Sequence, residues 1–171
     1  MKPDTPEILD SILWSLETYV EPEVQSPFGR SVMVTVGNLL RHVKLRAETE
    51  AEILFEDNDD LERLLTRLVA RFEAHPELSK VLESTLAGVR AVLAAGDEEK
   101  KHFPTVARLS ARAEALRQSL DDLLKALGSV RFDFPSDETY IGSREEIRAY
   151  LARQLQRADQ LISPAFVGGR R

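Results

Sequence analysis

The chain has 171 residues, 43% hydrophobic and 30% charged, which is enough apolar material for a globular domain and too much for global disorder. Its formal net charge of −6 disfavours non-specific binding to DNA or anionic lipid. The absence of cysteine excludes disulfides, thiol catalysis, Fe–S clusters and Cys-based zinc sites.

No apolar run approaches the ~18 residues of a membrane span. The opening MKPDTPEILD lacks the apolar core of a signal peptide, so a cytoplasmic location is expected. Helical periodicity runs through almost the whole chain. It predicts an all-α fold, an antiparallel bundle of five to six helices with a four-helix core, forming a single domain over residues 1–171.

In chain order, the first predicted helix spans about 6–20. Asp4 and Thr5 are cap candidates, Pro6 suits the first turn, and Ile8, Leu9, Ile12, Leu16 and Tyr19 form the stripe. Pro22 and Pro27 break the chain. The second spans about 30–56, with Val32, Val36, Leu40, Val43, Ala47, Ala51 and Leu54 inward. The acidic run Asp57-Asn58-Asp59-Asp60 is expected to close it and cap the next, with Asp59 and Glu62 at capping-box spacing. The third, about 60–74, carries Leu61, Leu65, Leu68 and Phe72. Pro76 separates or kinks it from a fourth that ends at Gly96. The fifth, about 104–127, has the cleanest stripe, from Val106 to Leu127. An aromatic loop over 129–142 then covers one end of the bundle. Ser143 and Glu146 are expected to cap a sixth helix running to about Leu161. The Gly- and Arg-rich tail 163–171 is expected to fray.

A helical wheel places Glu50 inside the apolar stripe of the second helix, with Arg46 at its edge, His42 at the boundary and Asn38 beyond. A carboxylate on a core face is costly unless paired. Arg46 is in range one turn earlier, and Arg112 of the fifth helix is a second possible partner. These residues make either a polar ligand pocket or a buried ion pair that fixes helix register. The second alternative is preferred, because structural ion-pair networks also produce this pattern.

A di-iron bundle needs two Glu-x-x-His motifs and two further glutamates. Here Glu99-Lys100-Lys101-His102 has that spacing only once, so no metal and no cofactor is predicted. The acidic run lacks the glycine and terminal glutamate of an EF-hand loop. There is no phosphate-binding loop, nucleophile elbow or kinase signature.

Arg63, Arg67 and Arg71 form a basic column, and Glu48, Glu52 and Glu56 an acidic one. In a hairpin turning near Asp59 they would stand level, but both point away from the apolar stripes. Two solvated faces are therefore expected, with a charged docking surface as the alternative. Trp14 points away from the stripe of the first helix. It is a candidate partner contact, as are Phe132, Phe134 and Tyr140 in the aromatic loop.

The segment Val36-Gly37-Asn38-Leu39-Leu40-Arg41-His42-Val43, with Glu56-Asp57-Asn58 and Trp14-Ser15-Leu16-Glu17-Thr18-Tyr19, resembles a set of uncharacterised bacterial all-helical proteins associated with acyl-CoA dehydrogenase and aminoglycoside-phosphotransferase-like genes. The resemblance covers about the first third of the chain. It implies an accessory role near acyl-CoA metabolism and carries over no catalytic residue.

The sequence thus favours a non-catalytic accessory protein that self-associates or binds a protein partner, without nucleic acid or membrane. The alternative is a small-molecule or enzymatic site around Glu50, Arg46 and His42, which requires a cavity touching Glu50.

Overall fold

The computed structural model describes residues 2–99 and 103–162. Among them the chain forms six α-helices and no strand, as an all-α bundle: α1 Thr5–Ser15, α2 Pro27–Glu73, α3 Pro76–Val81, α4 Glu83–Glu99, α5 Val106–Ser129 and α6 Glu138–Gln160. The chain divides into two compact units. One comprises the residues up to Ile53 with those from Gln156 onward, the other Leu54–Leu155.

In the first unit, Asp4 caps α1. Its carboxylate accepts from the Glu7 amide, and the Glu7 carboxylate accepts from the Asp4 amide. The helix widens into a π turn over Leu16–Val20 and a short 3-10 turn over Glu21–Glu23, where Pro22 prevents continuation. Asp10 pairs with Lys44 and Glu17 with Arg41. These pairs run in opposite chain directions, so α1 lies antiparallel along the start of α2. The expected stripe of α1 is rotated: Leu9 and Leu13 are buried, whereas Ile8, Ile12 and Tyr19 are exposed. The apolar face of α1 is wider than its contact, so α2 covers only one side of it.

The break expected at Asp57–Asp60 does not occur, and α2 continues for 47 residues. No glycine or proline lies between Gly37 and Pro76 to stop it. Partners on other helices hold most of the acidic run. Asp57 takes a bond from Arg117, Asp60 from Arg153, and Glu62 from Arg112. Asp59 pairs along the helix with Arg63. Asp59 and Glu62 are mid-helix residues, so the capping box between them is absent.

The acidic and basic columns both lie on α2 and cannot form a hairpin ladder. Arg67 and Arg71 instead reach Glu146 of α6. Burial pushes the Glu146 carboxyl upward, but the bonds and charges of the two arginines outweigh it and hold it below the usual carboxylate range.

Pro76 ends α2 as expected. His75 Nδ1 caps α3 by accepting from the Leu78 amide. α4 passes through Gly96 rather than ending there. Thr105 caps α5, which runs past Gly128 to Ser129. α6 begins five residues before the expected Ser143. Asp137 is its cap, accepting from the Tyr140 amide at 2.7 Å. Ser143 is buried inside the helix and donates to the Thr139 carbonyl. The expected aromatic loop therefore shrinks to residues 130–137.

The core lies in the second unit. Leu61, Leu64, Leu65, Leu68 and Phe72 of α2 pack with Leu86 and Val89 of α4, the leucines of α5, and Tyr140, Ile147 and Tyr150 of α6. Each fully buried apolar side chain stabilises the fold by about 1.5–3 kcal/mol. The expected frayed tail 163–171 and the His102 end of the Glu-x-x-His motif lie outside the described residues.

Candidate functional site

The polar group expected on α2 is a chain along one helix face. Arg46 Nη1 donates to Glu50 Oε1 at 2.8 Å, and Arg46 Nε contacts His42 Nε2 at 3.3 Å. Glu50 is mostly covered, and its cation is the i−4 arginine, as the wheel indicated. Asn38 sits one turn further on and accepts from Arg41, which also holds Glu17. Arg112, in the second unit, pairs with Glu62.

The partner-contact candidates diverge. Trp14 and Tyr19 are both exposed and meet edge to face at 5.2 Å. Phe132 is exposed beneath the Arg131 guanidinium at 4.3 Å. Phe134 is half-buried and meets the His75 ring edge-on. Tyr140 is no surface contact. It is buried in α6, and its hydroxyl donates to the Leu127 carbonyl. A buried phenol needs such a partner, which ties α6 to the end of α5.

The second unit holds a pocket of about 180 Å³ between α2, α4 and α5. Phe55, Asn58, Asp59 and Glu62 of α2 line it, and their spacing of three and four puts them on one helix face. Phe103 and Pro104 precede α5, which contributes Arg108, Leu109 and Arg112. Gly96 supplies the contact from α4.

Arg112 is buried. Its Nε and Nη2 reach Glu62 Oε1 at 2.8 and 2.7 Å, and Nη1 donates to the Val92 carbonyl at 2.6 Å. A buried pair of this kind is tolerated only when such bonds satisfy the charges. The guanidinium crosses so close to Gly96 that a single added carbon there would collide with it. Glycine at position 96 therefore serves close approach within a helix, not helix termination.

Asn58 donates from Nδ2 to the Leu109 carbonyl at 2.9 Å and so joins α2 to α5 across the pocket wall. Its Oδ1 is buried without a hydrogen-bond partner. Among the described residues no group of three or more His, Asp or Glu side chains is arranged to hold a metal ion. No described helix is long and apolar enough to cross a membrane.

Of the expected ligand residues, Arg112 alone lines this pocket. Phe55, Asn58, Phe103 and Arg108 were not anticipated. The spacing of Phe55, Asn58 and Glu62 was visible, but a turn assumed at Asp57 separated them. No family model matches the chain, and comparison with curated proteins and with solved structures yields no match.

Proposed function

We propose that this protein is a non-catalytic, cytoplasmic helical module that self-associates through its N-terminal unit. One observation carries this reading. Phe28, Val32, Leu39 and Val43 of α2 are large, apolar and exposed, spaced four, seven and four residues apart. That spacing keeps them on one seam of a helix, in the manner of a coiled-coil stripe. In the same unit the described buried hydrophobics are only Leu9, Leu13 and Ile53. So small a core is marginal, and a second copy laid on the stripe would bury the missing apolar area. Both charge signs continue this face, in the Arg46–Glu50 pair, as suits pairing between identical surfaces. An accessory role beside acyl-CoA enzymes, implied by the sequence resemblance, is compatible with such a module.

Sedimentation velocity and light scattering from about 1 to 100 μM test the proposal, a range set by the affinities of modest interfaces. The wild type is expected to shift from monomer to dimer or higher species. The double variant Leu39→Glu/Val43→Glu is expected to remain monomeric while keeping its helical circular dichroism. A wild type that stays monomeric throughout sinks the proposal.

A further inference from the structure

We infer that the pocket between α2, α4 and the start of α5 binds a small aromatic carboxylate, with the carboxylate on Arg108 and the ring against Phe55, Phe103 and Leu109. This does not depend on self-association, which concerns the other unit.

The charge argument begins with the position of Arg108. It lies in the first turn of α5, where aligned peptide dipoles favour an anion and a cation is out of place. That turn contains no acidic residue, and no described side chain pairs with the guanidinium. The other charged pocket residues already have partners: Glu62 holds Arg112, and Asp59 holds Arg63. Arg108 is the one charge in the pocket wall whose partner is missing among the described residues. An arginine there binds a carboxylate through charge-assisted hydrogen bonds, and its planar fork matches the two carboxylate oxygens.

The apolar argument concerns size. Phe55 and Phe103 are 59% and 81% exposed, although both line a concave surface with Pro104 and Leu109. The volume of about 180 Å³ is close to that of cavities, on the order of 150 Å³, that hold a benzene ring. A single-ring ligand fits this space, and a nucleotide does not. Asn58 adds an independent sign. It is 6% exposed and lines the pocket, yet its Oδ1 lacks a hydrogen-bond donor. Buried acceptors of this kind are rare in native proteins and call for a donor, which a ring hydroxyl on the ligand supplies and its carboxylate does not.

The test uses the full chain labelled with nitrogen-15, titrated with benzoate and 4-hydroxybenzoate, with acetate and benzylamine as controls. Benzoate or its hydroxy derivative is expected to shift amide signals of residues 55–62 and 104–112, with a dissociation constant on the order of 1 mM or tighter. Acetate lacks the ring and benzylamine reverses the charge, so each should bind at least about tenfold more weakly. Arg108 is exposed, so Arg108→Gln should fold normally and lose about tenfold or more in affinity. Three outcomes would overturn the inference: no saturable shift with either aromatic acid, equal binding of benzylamine, or undiminished binding in a folded Arg108→Gln.

Discussion

At the scale of single residues, Asp57 is a buried charge that two other helices satisfy. Its carboxylate is buried on α2 and accepts from Arg117 at 2.7 Å and from the Tyr150 hydroxyl at 3.3 Å. Burial, then the neighbouring charge of Asp57, push the Tyr150 phenol well above its ordinary value of 10.0, and Arg117 only partly offsets this. The consequence for stability has a definite sign. Above about pH 10 an unfolded tyrosine loses its proton while the folded one keeps it, so the native state binds more protons and stability falls as pH rises. Urea midpoints measured from about pH 8 to 11 should therefore decline in the wild type. Tyr150→Phe should flatten that decline and, at neutral pH, cost about 1 kcal/mol for the lost hydrogen bond. Identical slopes in the two proteins would contradict this account.

At the scale of the element, α2 decides the architecture. It carries the exposed apolar stripe, the Glu50 group, the pocket face and a large part of the core. Its continuity through Asp57–Asp60 depends on bonds from Arg112, Arg117 and Arg153, which lie on α5 and α6. Glu56 is an exposed position just before this run. A turn there would accept proline, whereas a continuous helix loses a backbone bond and suffers a ring clash. Glu56→Pro should therefore destabilise the protein by about 3 kcal/mol or more, read as a lowered urea midpoint. A midpoint within about 0.5 kcal/mol of wild type would mean that α2 is interrupted near Asp57.

At the scale of the whole molecule, the two units differ in how much apolar surface each buries. The second has a contiguous core running from Leu61 to Tyr150. In the first, Ile8, Ile12, Trp14, Tyr19, Val32, Leu39 and Val43 are exposed. Local opening is easier where few apolar contacts must be broken. Amide hydrogen exchange should accordingly be slow over 61–72 and 116–127 and fast over 5–45 in dilute solution. If the stripe of α2 pairs with another copy, protection over 28–43 should rise with protein concentration while that of the core stays constant. Concentration-independent exchange over 28–43 would count against self-association through this face.

Much of this structure was legible in the residues themselves, because it depends on local chemistry. The period of three and four marked every major helix. The Asp4 cap, and the prolines at 22 and 76, set helix ends through backbone bonding that a short segment already specifies. The Glu50–Arg46 pair was readable for the same reason, since its partners lie one turn apart. The misread features share a different cause. Asp57-Asn58-Asp59-Asp60 looks like a turn until Arg117 and Arg153, which bond Asp57 and Asp60, are known, and those lie more than fifty residues away in the chain. The burial of Leu13 rather than Ile8 and Ile12 depends on which side of α1 meets α2. The pocket exists only once Phe55, Gly96 and Arg108 are brought together from three separate helical elements. Local periodicity and capping determined that the chain is helical and fixed the ends at Asp4, Pro22 and Pro76, whereas long-range packing and charge pairing decided that α2 is continuous, which faces are covered and where the pocket forms.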